Sequence, residues 1–436
     1  MYVYPSSDRL PHEPLRVRWS TGPFAVRLLA KGILVAALGL MTLGLWPLFL
    51  VGVGVWGWPP HAPRLSRMRR YLGLAWTERP PPPGIAPLSR AWLTLMLLQK
   101  LALVPVVGLA WYLDEVLFGR RLDGTPIKAP LILLSAARSG STQISHYLTE
   151  DPRLAAPSVM QIVWPYLWLW RIVAPTLGRV VPHAWPHALM DTMSSEEFIQ
   201  RHEGNPYQTD TFEILYFLNN LHMIASLLGP RIMAEDFVPA GSAPHNHDLW
   251  NRDFVDFIDR LGRKTLLHAG PQKRLYFKGH FLDAGDALAQ RYPDAHFLTV
   301  IRDPLSCLGS MLNHWHGNVF DEALGAVPWS WITACGLDTQ ITYCDQELAW
   351  FTREEGPGRT VIRFKDFVAD LEGTMLQVYR SCMGDETLPE HVPTEHAPRE
   401  RKKYRVNRSL DSLGIDRGAL EARLRDYQAW CQQETV

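Results

Sequence analysis

The pattern of apolar residues divides the chain into two unlike parts. Two long apolar stretches, at about residues 32–58 and 91–118, lie in the first part. From about residue 128, short runs rich in β-branched and aromatic residues alternate with stretches of helical periodicity. This alternation is typical of an α/β fold in which crossover helices connect a mostly parallel sheet. We therefore predict an N-terminal membrane-associated region, residues 1–127, followed by an α/β domain, residues 128–436.

The α/β part is predicted to contain short buried strands separated by amphipathic helices. The predicted strands are Leu131–Ser135, Leu275–Lys278, His296–Ile301 and Thr360–Phe364. The predicted helices are Thr142–Thr149, Ser194–His202, Phe212–Leu228, Leu249–Leu261, Ala284–Arg291, Leu305–Asn313, Trp329–Arg353, Phe367–Met383 and Gly418–Cys431.

The first apolar stretch carries no charged residue and is long enough to cross a bilayer. The second is interrupted by Lys100 and Pro105. We therefore expect a membrane-embedded hairpin bent near Pro47, with the second stretch lying in the membrane interface or re-entering the bilayer. Two spans are the alternative. Basic residues flank both stretches: Arg16, Arg18, Arg27, Lys31, Arg64, Arg67, Arg69, Arg70, Arg120 and Arg121. The positive-inside rule places these flanks, and with them the α/β domain, on the cytoplasmic side.

The charge balance argues against a general attraction to nucleic acid. Lysine plus arginine and aspartate plus glutamate both number 44, so the formal net charge is zero and any positive potential must be local. The chain has five cysteines: Cys307, Cys335, Cys344, Cys382 and Cys431. Because they are odd in number and form no Cys-x-x-Cys pair, we expect neither a disulfide framework nor a zinc site.

A phosphate-binding loop is predicted where the first strand of the α/β domain ends. The strand is followed by a run of small residues with one arginine: Arg138, Ser139, Gly140, Ser141 and Thr142. A glycine lets a ligand approach the backbone, hydroxyl groups donate hydrogen bonds, and the free N–H groups at a helix start attract anions. The loop lacks the Lys-Ser/Thr ending that places a hydroxyl on magnesium in nucleotide triphosphatases. We expect a phosphate-like ligand other than a magnesium–ATP complex.

Polar residues also end the next two predicted strands. Lys278 and His280 are two residues apart, so in an extended chain their side chains point the same way. One is a cation and the other titrates near neutrality. Arg302 ends the following strand, Pro304 suits the first turn of a helix, and Ser310 lies two turns into that helix. Ligands of open α/β sheets bind at the carboxyl ends of strands, so these groups are expected to gather there. Arg302 and Ser310 are placed to hold a second phosphate.

Together the motifs resemble those of the sulfotransferases that use 3′-phosphoadenosine 5′-phosphosulfate (PAPS). The loop from Arg138 to Thr142 looks like the family's 5′-phosphosulfate loop. Arg302 followed by Ser310 looks like its 3′-phosphate motif. Lys278-Gly-His280 is similar to the Lys-x-His of the cytosolic members.

The resemblance covers about residues 128–431 and includes weaker features. The stretch from Val361 to Phe367 is similar to a late strand and helix start of many members. A basic run containing Arg401, Lys402 and Lys403 falls where the family has a loop over the 3′-phosphate. The resemblance implies a P-loop-like three-layer sulfotransferase fold with a mostly parallel sheet, here preceded by N-terminal membrane-embedded helices. Bacterial-type members also tend to carry a His-x-x-Met followed by paired glutamates, which is echoed here by His187-Ala-Leu-Met190 and Glu196-Glu197. The resemblance therefore implies a bacterial inner membrane.

The resemblance also implies a reaction. PAPS would be the co-substrate, no metal would be required, and a hydroxyl or amine would accept the sulfuryl group. His280 would be the general base, while Lys278 and the Arg138 loop would neutralise charge on the leaving phosphate. Some membrane and Golgi members use a glutamate as base, but Gln161 stands at that position here, which favours His280. The expected partners are the lipid bilayer and a small-molecule or lipid acceptor, and not nucleic acid.

Two other functions fit parts of the same pattern. A nucleotide-dependent phosphotransferase could use the same loop, but it would not need a 3′-phosphate site. A non-catalytic membrane scaffold could retain the fold without the chemistry.

Overall fold

The architecture is described from a computed structural model for residues 21–77, 87–177, 207–209, 249–318, 329–396 and 409–433. Its centre is a five-stranded sheet in which every neighbouring pair of strands is parallel. The strands are β1 (Leu131–Leu134), β2 (Leu154–Ala155), β3 (Arg274–Gly279), β4 (His296–Ile301) and β5 (Gly358–Arg363). Their order across the sheet is β2-β3-β1-β4-β5. The predicted α/β fold with a mostly parallel sheet is confirmed; the strand that the sequence missed, β2, is only two residues long.

Helices flank the sheet and precede it. They are α1 (Thr21–Leu43), α2 (Trp46–Trp56), α3 (Leu65–Thr77), α4 (Pro87–Asp123), α5 (Ser141–Glu150), α6 (Val159–Val163), α7 (Ala174–Leu177), α8 (Val255–Ala269), α9 (Gly285–Arg291), α10 (Pro304–Asn318), α11 (Trp329–Phe351), α12 (Phe364–Ala369), α13 (Leu371–Met383), α14 (Arg417–Arg423) and α15 (Arg425–Gln432). Two short π-helical segments precede α7 and α8, and 3₁₀ turns lie at Leu282–Ala284 and Asp411–Leu413.

Most predicted helices lie close to observed ones. The predicted helices Ser194–His202 and Phe212–Leu228 fall outside the described residues. The predicted helix Phe367–Met383 is two helices, because Asp370 adopts an extended conformation and its carboxylate caps the second helix at Gly373 N.

Both faces of the sheet are buried, which defines the three layers. Ile132 and Leu134 of β1 pack into one apolar cluster, while Leu131 and Leu133 pack into the other. Alternate side chains of a strand point to opposite faces, and a strand buried on both faces is apolar throughout. All four residues of β1 have no exposed surface.

The N-terminal helices are arranged differently from the predicted hairpin. Lys31 of α1 donates to Gln99 of α4, whereas Phe49 of α2 packs at Gly108 farther along α4. Later residues of α1 and α2 thus contact later residues of α4. Helices α1 and α2 therefore both run parallel to α4. The prediction was wrong because Pro47 sits in the first turn of α2, where proline is tolerated, and the preceding Leu45 keeps a helical conformation.

Helix α3 runs back along α4 on another side. Trp76 near the end of α3 donates to Thr94, while His61 just before α3 stacks on Trp111. Lys31 of α1 lies over the Trp92 ring of α4. Trp92, which contacts α1, and Thr94, which contacts α3, are two residues apart and therefore point about 200° apart around the axis of α4. Helices α1 and α3 thus lie on roughly opposite sides of the first half of α4. The second apolar stretch is one continuous helix through Pro105.

A buried ion pair joins α4 to the α/β domain. Lys264 of α8 and Asp114 of α4 are 2.9 Å apart and neither side chain is exposed. The Asp114 carboxylate also accepts hydrogen bonds from the backbone N–H groups of Leu167 and Trp168, and the Lys264 ammonium lies 3.4 Å from the ring centroid of Trp111. The N-terminal helices are therefore packed onto the domain through α4. The domain boundary near residue 128 remains a prediction.

Candidate active site

The predicted phosphate loop leaves the centre of the sheet and starts α5. Arg138 and Gly140 both have positive φ angles, +66° and +99°. A Cβ atom on Gly140 would lie 2.5 Å from the ring of Phe364, so the position excludes a side chain on steric as well as conformational grounds. The glycine thus brings the loop backbone close to the start of α12.

The two predicted phosphate-binding motifs meet at Arg138. Its guanidinium Nε donates to Ser310 Oγ at 2.9 Å, and Arg302 donates to the Arg138 carbonyl oxygen at 3.2 Å. Arg302 also lies over the Phe364 ring at 4.4 Å. The structure therefore brings together a loop arginine, a strand-end arginine and a helix hydroxyl that are separated widely in sequence. Arginine side chains bind phosphate groups well, so both arginines are candidates for holding an anionic ligand.

Lys278 and His280 reach the same loop from the neighbouring strand. Strand β3 pairs with β1 so that Gly279 lies opposite Leu134. Lys278 is almost fully buried and its ammonium donates to Thr142 Oγ1 at 2.8 Å. His280 Nδ1 lies 2.5 Å from the carbonyl oxygen of Ser135. Both side chains therefore contact the loop.

The contact with Ser135 selects the tautomer of His280. A carbonyl oxygen can only accept a hydrogen bond, so Nδ1 carries the proton and donates. In the neutral ring the lone pair is then on Nε2. A histidine oriented in this way is suited to accept a proton at Nε2.

Other predicted site residues have local structural partners or lie outside the described chain. Ser139 is buried and its hydroxyl donates to Ser135 Oγ at 3.2 Å, which directs it toward the protein. Ser141 is the buried first residue of α5. Gln161 forms a capping box with Ser158 at the start of α6. The predicted contacts Arg401, Lys402 and Lys403 lie outside the described residues.

Two residues of the site were missed by the sequence analysis. Phe364 packs on Gly140 and Arg302 at once. Glu347 of α11 is fully buried and accepts hydrogen bonds from Thr299 of β4 and from Tyr427 of α15. Burial raises the pKa of the Glu347 carboxyl to about 7. The only sequence signal for Glu347 is a single carboxylate on the apolar face of a helix.

Within the described ranges, no group of three or more histidine, cysteine, aspartate or glutamate side chains could hold a metal ion. The positive groups around the loop are protein side chains: Arg138, Lys278 and Arg302. They can offset negative charge on a ligand directly.

The comparisons with known proteins agree with the fold. The Sulfotransferase family profile matches residues 130–385. Sulfotransferase STF9 from Mycobacterium avium is similar in structure, with a TM-score of 0.60, 18% identity, and 88% of this chain and 96% of that chain covered. Sulfotransferase STF1 from Mycobacterium tuberculosis H37Rv matches with a TM-score of 0.54, 18% identity, and coverage of 87% and 98%. No curated protein sequence matches significantly. The family match spans the sheet and both phosphate motifs, and the chain belongs to the sulfotransferase family of enzymes.

Proposed function

We propose that this enzyme transfers the sulfuryl group of PAPS to a hydroxyl or amine of an acceptor, with His280 as general base. The observation that carries the proposal is the direct contact between Arg138 of the loop and Ser310, with Arg302 on the same backbone. This contact joins the 5′ motif and the 3′ motif of the resemblance into one cluster. A nucleotide with phosphate groups on both sides of its ribose fits such a cluster better than a triphosphate does.

Charge stabilisation would come from the loop side of the site. The N-terminus of α5, Arg138 and Lys278 would face the 5′-phosphosulfate, and Arg302 with Ser310 would face the 3′-phosphate. The lysine already contacts Thr142 of the loop, so it needs little rearrangement to reach a phosphate there. Preorganised cations of this kind lower the barrier where negative charge develops.

The acceptor step follows from the orientation of His280. Its Nε2 would take the proton from the acceptor hydroxyl or amine while the acceptor atom attacks sulfur. The new bond forms between acceptor and sulfur as the bond between sulfur and the bridging oxygen breaks. The electron pair of the broken bond stays on the 5′-phosphate, where Lys278 and the loop hold the new charge.

We also propose that the N-terminal helices bind the bilayer. Windows of α1 (Ala25–Leu43) and α4 (Arg90–Asp123) are long and apolar enough to cross a membrane. Large apolar side chains are at least half exposed along α1 and α2, among them Leu29, Ile33, Leu40, Met41, Leu48 and Val51. Such a continuous apolar surface is typical of a helix face that contacts lipid. An enzyme bound to the bilayer in this way would have direct access to a lipid-like acceptor in the same membrane.

The position of α3 supports a cytoplasmic orientation of the α/β domain. This helix carries Arg67, Arg69 and Arg70 and packs on the side of α4 away from α1. Basic groups on that side fit the anionic headgroups of an inner-membrane cytoplasmic face, and α4 leads from there into the α/β domain. The α/β domain would therefore face the cytoplasm.

The proposal is tested with membranes that contain the full chain and with ³⁵S-labelled PAPS. The lipid extract and the soluble fraction are separated and counted, comparing the parent protein with Arg138→Ala. Label in either fraction that depends on Arg138 supports sulfuryl transfer, and label in the lipid extract supports a lipid-like acceptor. A parent protein that prefers ATP to adenosine 3′,5′-bisphosphate and transfers no label would support a phosphotransferase. Failure to bind either nucleotide would support a scaffold.

A further inference from the structure

The exposed surface of the N-terminal helices is apolar on one side of α4 and basic on the other. On α1, Lys31 contacts α4 and Val35, one turn later, is buried. The large apolar side chains on the opposite side of α1 are exposed: Leu29, Ile33 and Leu40. On α3, Met68 and Tyr71 are buried, while Arg69 is exposed. Since α1 and α3 lie on roughly opposite sides of α4, the apolar and basic faces point away from each other.

The N-terminal region has a large excess of basic residues, although the whole chain is neutral. Between residues 21 and 113 the sequence has one acidic residue, Glu78. The basic residues of the same stretch are Arg27, Lys31, Arg64, Arg67, Arg69, Arg70, Arg79, Arg90 and Lys100. Arg64, just before α3, pairs with Asp253 of the α/β domain. The three arginines within α3 outnumber the carboxylates of this region, so the surface favours an anionic partner from outside.

A membrane-spanning orientation of α4 would place the arginines of α3 in hydrocarbon. His61 stacks on Trp111 at one end of α3, and Trp76 donates to Thr94 at the other end, so α3 follows about 25 Å of α4. Arg69 lies about halfway along this length and is exposed. If α4 crossed the bilayer, Arg69 would face the hydrocarbon near its centre, which is strongly unfavourable for an arginine.

A flat orientation matches the dimensions of one leaflet. Packed helices are about 8–10 Å apart, so α1 and α3, on opposite sides of α4, are separated by about 16–20 Å. Half of a bilayer, including its headgroups, is about 20–22 Å thick. With α1 among the acyl chains, α3 lies at the depth of the headgroup phosphates. This depth pairs the apolar side chains with hydrocarbon and the arginines with phosphate.

We propose that helices α1 to α4 lie flat in a single leaflet, with α1 and α2 among the acyl chains and the basic face of α3 bound to anionic phospholipid headgroups. Exposed Leu48 and Val51 extend the apolar surface along α2. The inference rests on the proposed bilayer binding and not on the proposed sulfuryl transfer. It also restricts the acceptor, because an acceptor supplied by the membrane would come from the leaflet on the side of the α/β domain.

The orientation is tested by labelling one position on α3 from one side of the membrane. Gly73 is exposed and a side chain added there meets open space, so Gly73→Cys is suited to the test. The full chain is reconstituted in vesicles of phosphatidylcholine and phosphatidylglycerol, and a membrane-impermeant maleimide is added outside. Intact mass spectrometry counts the labels beyond those of the parent protein. Ser381→Cys, an exposed position on α13, reports the fraction of α/β domains that face outward.

The flat orientation predicts that Gly73→Cys is labelled to the same extent as Ser381→Cys without detergent. In a spanning orientation Gly73 lies toward the end of α4 that is far from the α/β domain. Labelling of Gly73→Cys only after detergent is added, or only in vesicles whose α/β domains face inward, would overturn the inference.

A second measurement tests the contact with headgroups. Arg69→Gln should weaken binding to vesicles that contain phosphatidylglycerol by about fivefold, the effect of one basic residue at an anionic surface, with little change for pure phosphatidylcholine. Arg417→Gln on α14 is the matched control and should bind like the parent. Equal binding of Arg69→Gln and the parent to both kinds of vesicle would overturn the headgroup contact. A parent that binds neither kind would overturn the proposed bilayer binding, whereas a parent that binds vesicles but transfers no ³⁵S would overturn only the proposed reaction.

Discussion

Arg138 and Ser310 are joined by a hydrogen bond of 2.9 Å across 172 positions of sequence. The contact connects the loop after β1 with the second turn of α10. The two halves of the proposed nucleotide site are therefore held together by the protein itself. A site organised in advance binds its ligand without the entropic cost of assembling it.

Ser310→Ala should weaken selection for the 3′-phosphate. The variant loses a hydroxyl that contacts Arg138 and faces the proposed 3′-phosphate, and a hydrogen bond to a charged group is worth about 1.5–3 kcal/mol. Calorimetric titration should show adenosine 3′,5′-bisphosphate binding roughly tenfold or more weaker, with adenosine 5′-phosphate changed much less. The control is Ser381→Ala on α13, whose exposed hydroxyl bonds its own helix. An equal loss for both nucleotides would contradict the assignment of Ser310.

Gly140→Ala should damage the phosphate loop. Its Cβ atom would lie 2.5 Å from the Phe364 ring, at a φ of +99°. We expect nucleotide binding to fall by at least about tenfold, since the loop or Phe364 must move. Gly384→Ala is a matched control, with φ of +75° and open space around the added carbon. Gly384→Ala should lower the free energy of unfolding by about 1 kcal/mol and leave nucleotide binding unchanged. Normal nucleotide binding by Gly140→Ala would show that the loop is not part of the site.

Lys264→Met should destabilise the interface between α4 and the α/β domain. Removing one partner leaves Asp114 as a buried charge without its counter-ion, at a cost of about 3–5 kcal/mol. The double variant Asp114→Asn with Lys264→Met removes both charges and should recover part of that loss. The free energy of unfolding of the full chain in detergent is measured for the single and the double variant. Glu421→Gln, which breaks the exposed pair with Arg417, should change stability by less than about 1 kcal/mol. A Lys264→Met protein with the same free energy of unfolding as the parent would show that the ion pair does not stabilise this interface.

The buried carboxyl of Glu347 predicts a specific pH dependence of stability. Burial raises its pKa from 4.5 to about 7, so the folded protein holds a proton between those values that the unfolded chain has lost. The contribution of Glu347 is fully present below pH 4.5 and is lost as the pH rises to 7, by about 3 kcal/mol. Denaturant unfolding at pH 5 and pH 7.5 should show this decline in the parent and a smaller one in Glu347→Gln. Equal slopes in the two proteins would mean that Glu347 does not titrate in this range.

If α1 binds lipid, one charge added to its exposed apolar face should weaken membrane binding. Met41 is 77% exposed on α1, and Met41→Lys should reduce co-sedimentation with vesicles of phosphatidylglycerol and phosphatidylethanolamine. Arg417→Glu on α14, an exposed residue of the α/β domain, is a control for general charge effects. Unchanged sedimentation of Met41→Lys would indicate that another surface, such as a second copy of the chain, covers α1.

The sequence was sufficient for features that depend on local pattern. The apolar run from Leu131 predicted a buried strand, because a parallel strand is apolar on both faces. The helix predicted to start at Thr142 begins one residue earlier, at Ser141. The spacing of Lys278 and His280 predicted that their side chains point the same way from the end of one strand, and in the structure both contact the loop. These predictions need only the geometry of one strand and its neighbour.

Other features depend on packing that no local pattern encodes. Phe364 acts through its position against Gly140, and the direction of α2 depends on how Phe49 fits against Gly108 of α4. In the sequence, Glu347 is only a single carboxylate on the apolar face of a helix, which does not identify its partners. Its hydrogen bonds to Thr299 and Tyr427 arise only when β4 and α15 come together.

The most direct test of the account is the transfer of ³⁵S from PAPS by His280→Gln compared with the parent protein in membranes. General base catalysis typically contributes about 10²–10⁴-fold, so we predict a loss of at least about 100-fold in transfer rate. Binding of adenosine 3′,5′-bisphosphate, measured in parallel, should change little, because the base does not hold the nucleotide. Transfer at the rate of the parent protein by a folded His280→Gln variant would contradict the central claim that His280 is the base.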